Sequence, residues 1–442
     1  MVREIYYLYD MRKLLLIALL VCFGQINAQT WVTIPDANFA HYLDSIIPAA
    51  AHNDSLNTSS TLVTTTTQTM NISLKGIGNL NGIQYFTSLT WLNCSNNSIS
   101  NLSTLPNSLT YLDCSYQGNN LTSLPALPNL LNYFDCTYNH INTLPTLPNS
   151  LDTLKCGMGV LTVLPALPNS LIYLDCHANN LTTLPVLPTL LTYLECSNNN
   201  SLANLPNLPN SIILIDCSFN HLVNLPLLPN SLTFIECTSN YLTSLPVLPN
   251  SLTHLDCGYQ GNNLTSLPSL PNSLIYLACQ YNSLTSLPTL PASLTYMVCS
   301  HNNISCFPTF PSLITNGFGI DPNPYNCLPN YIAAMSTYDT THYPLCAAGN
   351  SNGCAVAGIE QFANNNIELN IYPNPNNGSF VIEPNSTTKQ TMQVYDVNGK
   401  LVLSQPINGK TSIDASSLNE GIYNINLITN EGVVNKRIVI VR

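Results

Sequence analysis

The sequence predicts a curved repeat solenoid, with parallel strands on its concave face and an extended, polyproline-like back, followed by a small all-β sandwich. Three observations carry that prediction. Eleven of the 16 cysteines, from Cys94 to Cys299, recur at steps of 20 to 22 residues. A step near 20 is a repeat period and not the irregular spacing of a disulfide framework. Most of the 31 prolines fall in recurring L-P-x-L-P segments, which can be neither helix nor central strand because each proline removes a donor and fixes φ. From Leu369 onward the pattern changes to alternating apolar stretches, with Asn398-Gly399 as a hairpin turn between two of them.

Taken in order, the chain opens with Met11-Arg12-Lys13, an apolar run from Leu14 to Phe23, and Ile26-Asn27-Ala28. A basic start, a short apolar stretch and a small-residue cleavage site read as a signal peptide over residues 1–28, with translation starting at Met11. The run is too short to span a bilayer, which takes about 20 apolar residues; no membrane-spanning segment is expected in the mature chain. Residues 29–69 are expected to form an N-terminal cap. Ile34 to Ile47 carries Phe39, Tyr42, Leu43, Ile46 and Ile47 at helical spacing, and Ser55 to Gln68, rich in Ser and Thr, is expected to be a loop.

The array proper covers residues 70–313 and reads L-x-x-L-x-C-x-x-N-x-L, then L-P-x-L-P-N-S, as in Leu171 to Leu181. This resembles the leucine-rich repeat in its short, 20-residue bacterial form. Alternation in a strand sends the fourth and sixth positions, such as Leu174 and Cys176, to one inward face. The cysteines there are expected to be buried free thiols, since one residue per repeat on a ladder neither pairs nor converges on a metal. An asparagine column (Asn97, Asn119, Asn139, Asn179, Asn199, Asn220, Asn240, Asn262, Asn282 and Asn302) is expected to satisfy turn backbone. Gly159 interrupts it, and Gln117-Gly118 and Gln260-Gly261 read as turn insertions.

Residues 314–356 form a Cys/Pro-rich C-terminal cap. Its disulfide candidates are Cys306, Cys327, Cys346 and Cys354, with Cys306–Cys327 and Cys346–Cys354 the local choice among three pairings. Residues 357–368 read as a linker. In the tail, 369–442, the blocks Asn370 to Gly378, Val394 to Val402, Leu418 to Tyr423 and Lys436 to Val441 resemble, in that order, the C-terminal sorting domain of type A cargo of the bacterial type IX secretion system. That resemblance implies export through the periplasm to the cell surface or beyond, the secretion machinery as a partner, and removal of the tail at the linker.

Charge and motifs then exclude functions. The chain has 11 basic and 22 acidic residues, and Lys155 is the only basic residue between Lys75 and Lys389. Nucleic-acid binding needs clustered Lys and Arg and is excluded. Gly349 to Gly353 matches G-x-S-x-G without the strand and helix that motif needs. No zinc-protease, Walker or dinucleotide motif is present. The repeats also resemble those of bacterial effector ubiquitin ligases, but no room for a separate catalytic domain remains before the tail. No enzyme and no resident cofactor is expected.

The concave face is the candidate site. The third repeat position carries Trp91, Tyr111, Tyr133, Tyr173, Tyr193, Phe234, His254, Tyr276 and Tyr296, with Thr153 and Leu214 between them. The fifth carries Asp113, Asp135, Asp175, Glu195, Asp216, Glu236 and Asp256, interrupted by Lys155. Like charges opposite one another across strands are unfavourable, and aromatic side chains beside charges suit recognition. The expected function is a secreted or surface-displayed binding protein whose Tyr/acid face takes a protein or a glycan; the alternative is a structural or adhesive surface component. Asp175, Glu195, Asp216, Glu236 and Asp256 lie one strand apart and form the candidate calcium site, because calcium accepts flexible oxygen geometry.

Overall fold

A computed structural model describes residues 30–336, 344–346, 369–384, 389–396, 400–429 and 432–441, apart from positions 119, 260 and 262. The signal peptide, the Gly349–Gly353 motif, Cys354, the linker, Asn119, Asn262 and the Asn398-Gly399 turn lie outside the described residues. The chain divides into two units, one up to Ala355 and one from Val356.

The first unit begins with a three-stranded antiparallel cap, β1 (Trp31–Thr33), β2 (Ala51–His52) and β3 (Ser55–Asn57), and one helix, α1 (Ala37–Ile46). Asp36 starts the helix, its Oδ1 accepting the Phe39 N–H at 2.9 Å. Its Oδ2 accepts the N–H groups of Gly78 and Asn79 at 2.7 and 3.1 Å, so one carboxylate ties the cap to the first turn of the array. Phe39, Ala40 and Leu43 face the core. The stretch from Ser55 to Gln68 is not the expected loop: it contributes β3 and a helical turn at Leu62–Thr66. Leu56 and Val63, both fully buried, anchor it despite its polar composition.

Thirteen parallel strands follow in sequence order, from β4 (Thr69–Asn71) and β5 (Trp91–Asn93) through β15 (Tyr296–Val298) to β16 (Gly317–Gly319). From β4 to β16 each is three residues long, and from β5 to β15 the central residue is buried. The chain leaves each strand through a left-handed residue two places after the cysteine, from Asn96 to His301, with φ between 50° and 64°. The L-P-x-L-P segments form neither helix nor strand. The Leu and Cys columns make one continuous core that runs on through Phe307 and Phe310 to Leu328 and Met335. All eleven array cysteines are free and buried.

The asparagine column works as expected, with one correction. Asn179 donates to the carbonyls of Cys156, Cys176 and His177 at 2.9, 3.2 and 3.1 Å, and its Oδ1 accepts the Leu161 N–H at 2.9 Å. In the repeat of Cys114 that role belongs to Gln117. It donates to Cys94, Cys114 and Ser115 at 2.9, 3.3 and 3.0 Å and accepts from Ile99 at 3.0 Å. Distance from the cysteine sets the rung, and a longer amide serves it as well as Asn. Asn323 adds a rung beyond the last regular repeat, donating to Cys299 at 3.0 Å and accepting from Ile304 at 2.9 Å. The P-N-S serines form a second polar column: Ser170 Oγ donates to Leu151 and Ser231 Oγ to Ile212, at 2.6 and 2.7 Å.

The disulfide of the cap joins Cys327 to Cys346, so the local pairing of Cys306 with Cys327 and of Cys346 with Cys354 is not the one formed. A parallel bridge between Leu328 and Leu345 is the reason. The Leu328 N–H donates to Pro344 and the Cys346 N–H to Leu328, at 2.8 and 2.9 Å, which sets the two cysteines side by side. Cys306 is also disulfide-bonded.

The second unit has two antiparallel sheets. One has the order β17 (Leu369–Tyr372), β18 (Ser379–Pro384), β21 (Thr411–Asp414). The other has the order β20 (Leu401–Asn408), β19 (Lys389–Tyr395), β22 (Gly421–Thr429), β23 (Gly432–Ile440). Phe380, Ile382 and Ile413 from the first and Met392, Val394, Ile425 and Ile438 from the second share one core.

Candidate binding face

Each array strand from Trp91–Asn93 to His254–Asp256 buries its central residue and leaves the two flanking ones half-buried on the face away from the core. In-register parallel pairing then lines these flanking residues up from repeat to repeat. Tyr173 pairs with Tyr193 and Asp175 with Glu195; the acid series continues through Asp216, Glu236 and Asp256.

The aromatic stripe is not a row of open ring faces. Its rings stack on one another in three runs: Trp91–Tyr111–Tyr133, Tyr173–Tyr193, and Phe234–His254–Tyr276–Tyr296. Centroids lie 4.0 to 5.0 Å apart, and strand spacing of about 4.8 Å is what makes such stacking available. The breaks fall at Thr153 and Leu214. At the first, Lys155 Nζ lies 5.6 Å from the ring centroids of both Tyr133 and Tyr173.

The acids have a local task as well. Asp113, Asp135, Asp175, Asp216 and Asp256 each accept the N–H two residues on, capping the turn that leaves the strand. Ser115 and Ser197 hydroxyls donate to Asp113 and Glu195. Asn71 and Asn93 make the same turn without charge, so the turn does not need a carboxylate. The charge is therefore surplus to the fold, and it is costly. Glu195 is pushed up to about 7, chiefly by burial and then by the charges of Asp216 and Asp175. Asp256 is pushed up to about 6 by burial, with Glu236 adding to it. Burial also raises Asp135 and Asp216. Two histidines lie against the run: His177 Nδ1 is 2.6 Å from Asp175 Oδ1, and His254 Nε2 is 3.5 Å from Glu236 Oε1. Hydrogen bonding to Asp175 raises His177.

Among the described residues no group of three or more His, Cys, Asp or Glu converges as a metal cage; the five acids form a line. The thiols lie on the inward side of the same strands, where burial pushes them up, and they are inert as nucleophiles.

Sequence reasoning missed a second aromatic column. Tyr116, Tyr138, Phe219, Tyr259 and Tyr281 occupy the left-handed position after each strand and are 40% to 51% exposed. Tyr116 stacks on Tyr138, and Tyr281 on Tyr259 and His301. The signal for it was the residue two places after the array cysteine, which is Tyr or Phe in five of the repeats.

Comparison with known proteins supports both units. Residues 370–441 match the family described as the secretion system C-terminal sorting domain. The fold is similar to that of YopM from Yersinia enterocolitica WA-314, at 33% identity and a TM-score of 0.52, over 58% of this chain and 60% of that one. It is similar also to YopM, a leucine-rich effector protein from Yersinia pestis, at 28% identity and a TM-score of 0.51, over 60% of this chain and 86% of that one. A search of the curated proteins finds no match. No helix among the described residues is long and apolar enough to cross a membrane. With its parallel array and its matched tail, the chain is a leucine-rich-repeat protein with a C-terminal sorting domain of the type IX secretion system, which directs it to the cell surface or the extracellular space.

Proposed function

We propose that the mature array is a non-enzymatic recognition protein, displayed on or released from the cell surface, that binds a protein or glycan through its concave Tyr/acid face. The observation that carries this reading is the surplus charge. Seven of the 22 acids stand in one column whose turn is made equally well by Asn71 and Asn93. Repulsion between them is a standing cost that a ligand would offset. A structural or adhesive surface component is the second reading; it is favoured by rings that spend their faces on one another.

The test is capture. Mature protein carrying Tyr173→Ala with Tyr193→Ala is compared with the wild type on glycan arrays and on surface-protein extracts, with each captured species then identified. Ligand retained by the wild type and lost by the double variant supports recognition, whereas no retained ligand supports the scaffold. Export is tested by truncation after Glu368, which is expected to leave a folded array in the periplasm. Truncated protein outside the cell would remove the tail from that role.

A further inference from the structure

Lys155 is the one basic residue of the array's acidic column. Its strand lies in register with Asp135 on one side and Asp175 on the other. Its Nζ stands over both Tyr133 and Tyr173, 5.6 Å from each ring centroid. It occupies the break in the ring stack left by Thr153. The molecule thus contains a cation standing over two tyrosine rings, on a strand flanked by two that carry carboxylates, an arrangement favourable through the rings and through the opposite charges nearby.

The same frame continues from Asp175 to Asp256 with no lysine in it. Here the ring stack breaks again, at Leu214, and the residue beside the break is Asp216 in place of a lysine. At the far end the run meets Gln280, only 6% exposed, whose Oε1 has no hydrogen-bond partner. The Gln280 carboxamide lies against Gly258, where a Cβ would come within 3.0 Å of its Oε1. Gly258 is the residue whose N–H is held by Asp256. Gln280 therefore fills the place that the Ser115 and Ser197 hydroxyls fill beside their own carboxylates. A buried acceptor left unpaired costs about 1–3 kcal/mol, which a donor brought to it would remove.

We propose, resting on the concave-face reading above, that the run Asp175, Glu195, Asp216, Glu236 and Asp256 docks an extended, lysine- or arginine-bearing segment of a partner protein, its cations seated as Lys155 is. Five acids one strand apart span roughly 19 Å, which about six residues of extended chain match. Ammonium and guanidinium groups supply donors for both the carboxylates and Gln280 Oε1. A neutral glycan supplies the donors without the charge.

The test uses the full chain and a fluorescent peptide of about ten residues alternating Lys and Thr, with a Glu-Thr peptide and a deacetylated chitin oligomer as rivals, read by anisotropy. The lysine peptide is expected to bind, more weakly as salt rises, and the Glu peptide not at all. Asp216→Asn is expected to weaken binding about threefold. Asp152→Asn, which removes the same charge from outside the column, should leave it unchanged. Gln280→Leu is expected to weaken it by a similar factor, with Glu236→Gln as the substitute variant if melting curves show either of these unfolded. Equal losses from Asp152→Asn and Asp216→Asn would reduce the effect to net charge and overturn the proposal. Tighter binding of the amino-sugar oligomer would transfer the site to a cationic glycan. If the lysine peptide fails while ligand capture still depends on Tyr173 and Tyr193, the cationic segment alone is wrong. If both fail, the concave-face reading falls with it.

Discussion

The inward columns of the array and the concave columns beside them come from the same short strands and the turns that leave them, yet they answer to different constraints. Inward, Leu, Cys and Asn recur because each is held by the next repeat: Leu174 and Cys176 are fully buried, and Asn179 closes three carbonyls and one N–H. Outward, Asn93, Asp113, Asp135, Lys155 and then five acids all pass through the same backbone. The fold accepts a neutral, a negative or a positive side chain there. Seven of the eleven positions from Asn93 to Val298 are nonetheless acidic, against the repulsion between neighbours.

The sharpest separation between the two faces is expected in thiol reactivity. Native protein should expose none of the eleven array cysteines to a thiol reagent, and denatured protein all of them; recovery of few in denaturant would mean that the ladder is oxidised. Next in size is Asn220→Ala. It removes donations to Cys196, Cys217 and Ser218 and the acceptor of the Asn199 N–H, and should cost about 3 kcal/mol in urea unfolding. A loss below about 1 kcal/mol would show that water takes over the rung.

On the outer face the sign should reverse. Glu195→Gln with Asp216→Asn is expected to raise the thermal midpoint by about 1–3 °C. Glu195 sits near 7 in the folded chain against an ordinary value of 4.5. The folded state therefore holds an extra proton between those values, and stability should rise as pH falls from about 7 toward 4.5. That slope should shrink in the double variant; an unchanged slope would mean that the column is simply solvated. Smallest is Phe219→Asn. It places a residue that tolerates the left-handed region at φ 53° and should add about 0.5 kcal/mol, unless Phe219 is held by a ligand.

What the sequence made readable was whatever repeats by residue type. The leucine, cysteine and asparagine columns, the concave acids and the strand-rich tail all follow from spacing and alternation. What escaped depended on geometry. Gln117 was passed over for Asn119 because the column was followed by residue type and not by its distance from Cys114. The Cys327–Cys346 pairing hangs on the bridge between Leu328 and Leu345, which no local pattern announces. The left-handed column holds Asn, Tyr, Met, Ala, Phe, Ser and His, so its shared backbone has no one shared chemistry. The rings stack on one another at the strand spacing, a contact that residue type alone does not announce.

The asparagine rungs also give the array a direction. Each side chain reaches back, to the cysteine carbonyl and the turn N–H of the repeat before it, so no turn is complete until its successor has arrived. A chain emerging from a membrane with its N-terminus first would thus close every turn one repeat late. The newest repeat would stay open at its leading edge, and only the arrival of Asn323 against Cys299 and Ile304 would end the series.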